Sequence, residues 1–116
     1  MAYLDDSAWS FFWHPVCTVP ELAAATAANR ALAVTLLGEP IAVAEIAGTV
    51  AAFPDRCIHR STRLTVGCVE AGGLRCAYHG WLYNAEGKCV EIPAMSDYAI
   101  PSGLRLRRIE AEIAYE

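Results

Sequence analysis

The sequence has 116 residues, of which 55% are hydrophobic and 19% are charged, and its formal net charge is -4. This composition excludes a disordered chain, and the length predicts a single globular domain over residues 1–116. Nine basic residues stand against thirteen acidic ones, so we expect no nucleic-acid partner.

Five cysteines are present, and residues 1–13 carry no basic stretch of the kind that opens a secretory signal. An odd cysteine count without an export signal favours metal ligation or free thiols in a reducing cytoplasm over a disulfide framework. No apolar run approaches the roughly 18 residues that a bilayer-spanning helix requires, so we expect no membrane partner either.

A short helix opens the predicted elements. Pro20 precedes an alanine-rich run that favours one or two helical turns over 21–28. Three strand-like runs follow, at 31–37, 41–46 and 49–53. The turn signals between them are Gly38-Glu39-Pro40 and Ala47-Gly48. Pro54 ends the third run because it has no N–H for the ladder.

The second half of the chain alternates short apolar runs with turn residues. After an aperiodic loop at 55–67, strands are predicted at 68–70, 74–77, 81–83 and 88–92. The last two flank a turn signal at 84–87. A final strand over 104–115 is predicted from the late alternation of Ile109, Ala111, Ile113 and Tyr115. Short strands separated by turns are typical of a small antiparallel all-β domain.

Two cysteine–histidine pairs carry the most specific signal. One residue separates Cys57 from His59, and after sixteen further residues Cys76 and His79 follow with two residues between them. Two thiolates and two imidazoles suit a tetrahedral zinc ion, and they also suit a [2Fe–2S] cluster in which two histidines replace two cysteines on one iron. The spacing predicts a metal centre and leaves both metals open.

The residues around these pairs resemble the Rieske [2Fe–2S] family, and within it the N-terminal domain of ring-hydroxylating Rieske non-haem iron oxygenases. The resemblance covers most of the chain and rests on Trp13-His14-Pro15-Val16, Leu37-Gly38-Glu39-Pro40-Ile41, Cys57-Ile58-His59-Arg60, Leu64 with Gly67, Cys76-Ala77-Tyr78-His79-Gly80-Trp81 and Gly87-Lys88-Cys89-Val90-Glu91-Ile92-Pro93. It implies a Rieske-type antiparallel β-sandwich with a small cluster-binding subdomain of two loops, 55–67 and 76–83. It also implies that Cys57 and Cys76 bind the inner iron of a Rieske-type [2Fe–2S] cluster, while His59 and His79 bind the outer iron through Nδ1.

Positions beside the implied cluster predict a low reduction potential. High-potential Rieske proteins brace their loops with a disulfide, and the matching positions here are Thr62 and Tyr78. Trp81 replaces a serine that bonds a bridging sulfur in those proteins, and it resembles a bulky shield over the cluster. Tyr83 matches a tyrosine that bonds a ligand sulfur. We expect a potential near the bottom of the roughly -150 to +300 mV Rieske range.

The resemblance implies single-electron transfer, and the histidine count limits what else the chain does. An oxygenase also needs a mononuclear iron held by two histidines and a carboxylate. The chain has three histidines, and only His14 remains once the cluster takes two. We therefore expect the electron-transfer domain of an aromatic-ring-hydroxylating dioxygenase in aromatic hydrocarbon catabolism, with a catalytic domain outside this chain. Its implied partners are that domain, a reductase or ferredoxin, and by analogy further copies of the same protein.

Two alternatives stay open. A complete Rieske ferredoxin that diffuses between a reductase and an oxygenase has about this length. A structural zinc module with no redox role uses the same donor atoms.

Other residues near the motif carry expectations of their own. Arg60 and Arg63 flank a ligand loop, either as solvated charges or as docking charges for an acidic electron donor. The remaining cysteines lack ligand spacing and lie in apolar runs, so buried free thiols are expected at Cys17, Cys68 and Cys89. The solvated side of the final strand is expected to carry Arg105, Arg107 and Arg108.

Overall fold

A computed structural model describes residues 14–58, 62–70, 72–95 and 99–113. Its elements are α1 Val19–Ala27, β1 Leu32–Leu36, β2 Glu39–Ile46, β3 Thr49–Pro54, β4 Cys68–Glu70, β5 Gly73–Arg75, β6 Leu82–Tyr83 and β7 Cys89–Glu91, with 3-10 turns at Leu64–Val66 and Pro93–Met95. Strands β1 to β3 form one antiparallel sheet, and β4 to β7 form a second. Within these residues, no helix has the length and apolar character needed to cross a membrane.

The helix α1 begins at a capping box. The Glu21 N–H donates to Thr18 Oγ1 at 3.2 Å, and the Thr18 N–H donates to Glu21 Oε1 at 2.8 Å, so two otherwise unpaired donors are satisfied. This cap places the start of the helix two residues before the predicted 21–28. Leu22 is the helix's buried residue, and it packs with Ile41 and Val43 of β2.

The first sheet is built from two hairpins with tight turns. Leu37 and Gly38 both adopt positive φ, 50° and 82°, and Ala47 and Gly48 repeat the same pair of values. Left-handed conformation at both central residues is what a two-residue hairpin turn of type I′ requires, because its twist matches that of the strands. The prediction of a Gly38-Glu39-Pro40 turn was therefore one residue out at its start and two at its end, since Glu39 already opens β2 and pairs with Leu36.

The second sheet has shorter strands than predicted. The expected strands 74–77 and 81–83 were wrong at their facing ends, because Cys76, Ala77 and Trp81 lie outside β5 and β6. The Cys76 N–H donates to the Trp81 carbonyl at 2.8 Å, which closes residues 76–81 into a loop. Residues 76–81, which carry Cys76 and His79, therefore form a loop between β5 and β6 where paired strand ends were predicted.

The predicted final strand does not form within residues 104–113. Only isolated bridges occur there, between Lys88 and Arg105 and between Ala52 and Ile109. The segment begins beside β7 of the second sheet and ends beside β3 of the first, so it cannot extend one ladder. We call residues 104–113 the strap. Tyr115, the last residue of the predicted alternation, lies outside the described residues.

The main core joins the two sheets. Its largest fully buried side chains include Phe53 of β3, Leu64 of the first 3-10 turn, Leu74 of β5 and Tyr83 of β6. A smaller core covers the opposite face of the first sheet, under α1. The expected antiparallel β-sandwich is confirmed, and both predicted ligand loops extend from the main core.

Candidate metal centre

Cys57 lies in the loop after β3, and its residue is only 1% exposed. Its backbone N–H donates to the Thr62 carbonyl at 2.7 Å, and this bond closes the loop across 58–61. The next residue, Ile58, is 44% exposed. The chain thus passes from the core to the surface in one step, which keeps the Cys57 sulfur dry while Ile58 meets solvent.

Cys76 and His79 lie in the second loop, directly after β5. Cys76 is 1% exposed, whereas His79 is exposed. His79 and Gly80 adopt left-handed φ values of 65° and 72°, so the chain reverses at the histidine. The ring of Tyr78 lies 4.0 Å from that of His79, centroid to centroid. The loop therefore has a buried thiol at its base and an exposed imidazole at its tip.

The sulfur of Cys57 lies close enough to that of Cys76 to affect the pKa of Cys76. Burial raises the pKa of Cys76 to about 11, a hydrogen bond from the Tyr78 backbone N–H lowers it, and the neighbouring Cys57 raises it. The two cysteines that the spacing predicted as ligands are thus brought together. In the metal-free chain the Cys76 thiol stays protonated at neutral pH, so a metal ion must displace that proton to bind there.

Tyr83 presents its hydroxyl to these sulfurs from inside the core. The residue is 0% exposed, and its hydroxyl oxygen lies 3.1 Å from Cys57 Sγ. Burial raises the pKa of Tyr83, and the bond to Cys57 raises it further. The phenol therefore keeps its proton. Because a ligating thiolate has none, the hydroxyl donates to the sulfur whenever Cys57 binds metal.

The structure places three of the four predicted ligands. His59 lies outside the described residues, while Cys57, Cys76 and His79 occupy the two loops as described above. Trp81, the expected shield, is half-buried and packs against the main core. Among the other cysteines, Cys89 is buried as expected.

The expectation of buried thiols was wrong for Cys17 and Cys68, which are only half-buried. Cys17 lies in the extended segment just before the capping residue of α1, and Cys68 begins the edge strand β4. Neither position is covered by a second layer of structure on every side, so the apolar runs around them did not guarantee burial.

A buried carboxylate that the sequence analysis did not single out fastens the first loop. Asp55 is 1% exposed, and its oxygens accept from Arg63 Nε at 2.9 Å, from the Thr65 N–H at 2.9 Å and from Thr65 Oγ1 at 2.8 Å. These bonds join the two ends of the loop that holds Cys57. Arg63 was expected as a solvated or docking charge; its side chain is 55% exposed, and it also pairs with Asp55. Arg60, which carried the same expectation, lies outside the described residues. The sequence signal for this role was the position of Asp55 directly after Pro54, which ends β3.

Arg75, which directly precedes Cys76, fastens the second loop. Arg75 Nη1 donates to the Gly80 carbonyl at 2.6 Å and contacts Glu91 Oε1 at 2.7 Å, while its Nε contacts Glu70 Oε2 at 2.8 Å. One guanidinium thus ties β4 and β7 to the turn that carries His79. Its three partners are distant from one another in the chain, which is why the motif spacing gave no sign of it.

Comparison with known families decides what these loops are. The model of the Rieske [2Fe–2S] domain matches residues 12–106, which include both loops and both sheets. The chain belongs to the Rieske [2Fe–2S] family. The cofactor of this family is a Rieske-type [2Fe–2S] cluster, so the predicted cofactor class is confirmed.

Individual Rieske proteins resemble the chain closely. It is 43% identical over 105 residues to the methylxanthine N1-demethylase NdmA of Pseudomonas putida, which covers 90% of this chain and 30% of that protein. It is 46% identical over 85 residues to the oxygenase subunit of 3-chlorobenzoate-3,4-dioxygenase of Comamonas testosteroni, covering 72% of this chain and 19% of that one. The solved structure of NdmA superposes with a TM-score of 0.89 at 40% identity, over 97% of this chain and 34% of its own. The chain thus spans at most about a third of these relatives.

The described residues fit a Rieske cluster. Cys57 and Cys76 offer two adjacent sulfurs in a dry setting, and the Tyr83 hydroxyl and the Tyr78 N–H are donors that stabilise thiolates there. The exposed His79 offers the imidazole that distinguishes a Rieske centre from a four-cysteine one. A Rieske cluster needs buried sulfurs and an exposed imidazole, and the described residues provide both.

We predict that Asp55→Ala destabilises the metal-free Rieske chain by about 3 kcal/mol, because it removes a buried acceptor and leaves Arg63 and Thr65 with unsatisfied donors. Urea unfolding followed by circular dichroism measures the change. Glu112→Ala removes an exposed carboxylate and should shift stability by less than about 0.5 kcal/mol. Equal losses in the two variants would contradict the role given to Asp55.

We predict that Arg75→Met disturbs the environment of His79 more than Arg75→Lys does. Methionine loses both the positive charge and every hydrogen bond to Glu70, Gly80 and Glu91. Lysine keeps the charge, although without a planar guanidinium it cannot bind all three partners at once. Electron paramagnetic resonance of the reduced, cluster-loaded protein measures this disturbance as broader signals, which report a wider spread of g values. Arg30→Met, which removes an exposed arginine bonded to the Thr65 carbonyl, is the control. An unchanged spectrum for Arg75→Met would show that the Gly80 turn holds without it.

Proposed function

We propose that this chain transfers single electrons through a low-potential Rieske cluster held by Cys57, His59, Cys76 and His79, as the N-terminal domain of an aromatic-ring-hydroxylating oxygenase. The electrons pass to a mononuclear non-haem iron outside the chain. The observation that carries the proposal is a pair of neighbouring buried sulfurs, Cys57 and Cys76, of which Cys57 contacts the buried Tyr83 hydroxyl, beside a loop whose histidine reaches solvent.

When bound, the cluster supplies one-electron redox chemistry at a potential set by its ligands and their hydrogen bonds. Cys57 and Cys76, each 1% exposed, would hold the cluster as thiolates in a site shielded from water. The Tyr83 hydroxyl donates to Cys57 and spreads the negative charge of that sulfur, which favours the reduced state. His79 offers an exposed edge through which a docked protein exchanges electrons.

The catalytic iron is placed outside the chain on the histidine count, since only His14 lies beyond the two pairs. The relatives support this arrangement, because this chain spans 30% of the demethylase and 19% of the dioxygenase subunit. A methylxanthine and a chlorobenzoate, which those names specify, are both ring compounds with aromatic character. An aromatic substrate for the parent enzyme follows by extension.

The absorption spectrum of the purified protein tests the cofactor assignment. We expect a coloured protein that bleaches partly on reduction, and we expect the colour to be lost in Cys57→Ser and Cys76→Ser but kept in Cys68→Ser, which changes a half-buried thiol outside the site. A colourless protein that binds zinc and unfolds with chelators would overturn the proposal. So would a natural polypeptide with no two-histidine, one-carboxylate iron site after residue 116, which would make the protein a Rieske ferredoxin.

We predict that Tyr83→Phe lowers the reduction potential by tens of millivolts, since it removes a charge-assisted hydrogen bond to Cys57 while it keeps the buried ring. Protein-film voltammetry of the cluster-loaded variant measures the shift. The visible spectrum of the same sample checks that the cluster is intact. A potential equal to that of the unsubstituted protein would remove Tyr83 from the set of tuning residues.

A further inference from the structure

A groove of about 410 Å³ opens beside the first ligand loop. Three exposed arginines line it, namely Arg56, Arg105 and Arg107. The other lining residues are Pro54, Cys57, Ile58 and Leu106. The groove therefore combines three positive charges with an apolar surface, and it reaches one of the residues proposed to bind the cluster.

The groove arginines differ from the arginines that fasten the ligand loops. In the part of the chain that the structure describes, Arg63 and Arg75 form ion pairs, whereas no carboxylate lies within ion-pair distance of any groove arginine. Among the described residues, the hydrogen-bond partner of the Arg105 side chain is a backbone carbonyl, that of Glu86, at 3.3 Å. Three positive charges without an ion pair to any described residue are unexpected at one place in a chain whose net charge is -4. They concentrate a positive potential there.

Backbone hydrogen bonds hold these arginines in position. Arg105 and Arg107 flank the buried Leu106 on the strap, and the Leu106 N–H donates to the Gly87 carbonyl at 2.7 Å. The Arg56 N–H donates to the Pro54 carbonyl at 2.7 Å, directly before Cys57 in the chain. Charges carried on fixed backbone present a defined pattern to an incoming protein.

We infer that this groove docks an acidic electron-donating protein, an inference that rests on the proposed function. A donor must bind and leave once for each electron, and charge complementarity gives fast association without tight binding. One electron then passes from the reduced donor to this protein, with no bond made or broken. Because the groove reaches Cys57, a donor seated in it lies beside the metal centre.

Stopped-flow reduction of the cluster-loaded protein, at its natural length, by a reduced plant-type [2Fe–2S] ferredoxin tests the inference. This probe is an acidic one-electron donor. At low salt we expect the second-order rate constant to fall about tenfold or more in Arg56→Gln combined with Arg107→Gln. Near 1 M salt the rates of the two proteins should converge, because charges are screened beyond about 3 Å.

Arg108→Gln is the matched control, since Arg108 is exposed on the same strap and does not line the groove. Its rate should stay within about twofold of the unsubstituted protein. The reduction potential of each variant is measured as well, so that a change in driving force is separated from a change in docking. If Arg108→Gln slowed the reaction equally, or if the groove variant did not slow it, the inference that the groove docks the donor would be overturned.

Reduction by dithionite separates this inference from the proposed function. If dithionite reduces every variant while substitution of the groove arginines leaves the rate of reduction by ferredoxin unchanged, only the inference about the docking surface is wrong. If dithionite reduces none of them, including the unsubstituted protein, the electron-transfer function itself fails.

Discussion

The conditions for the rest of the chain are set by two neighbouring buried sulfurs, those of Cys57 and Cys76, and by the buried Tyr83 phenol that contacts Cys57. Thiolates are stable in a dry interior only where donors or metal ions balance their charge. The Tyr83 hydroxyl and the Tyr78 N–H are such donors; Tyr83 belongs to β6, and Tyr78 to the loop between β5 and β6. The loops must then close tightly around the sulfurs, and the carbonyls of Thr62 and Trp81 close them. In the second loop, exposure is left to Tyr78 and His79 at its tip.

Much of this arrangement could be predicted from the sequence, because it depends on local patterns. The first sheet follows from its strand-like runs and from the glycines at its turns, and the meeting of Cys57 with Cys76 follows from motif spacing. The strand predicted over the strap was wrong. Alternating apolar residues indicate which side of a segment faces the core, but they do not show whether a neighbouring strand runs alongside for its whole length.

The supports of the ligand loops were invisible for a different reason. Asp55 binds residues eight and ten positions away, and Arg75 joins Glu70, Gly80 and Glu91 from three separate elements. Such contacts arise only after the sheets have set their register. The motif spacing therefore identified the proposed ligands, while the groups that fasten the two loops could be identified only in the folded chain.

The strap also bears on how this electron-transfer unit could be moved between proteins. Leu106 is 3% exposed, and its N–H bonds the turn at Gly87, while the Ile109 N–H bonds Ala52 of the first sheet. One segment thus seals the sandwich across both of its layers. A graft that stopped after β7 would carry all four proposed ligands and yet leave the core open to water along one side. The smallest transplantable redox module therefore ends after Ile109, well beyond its last ligand.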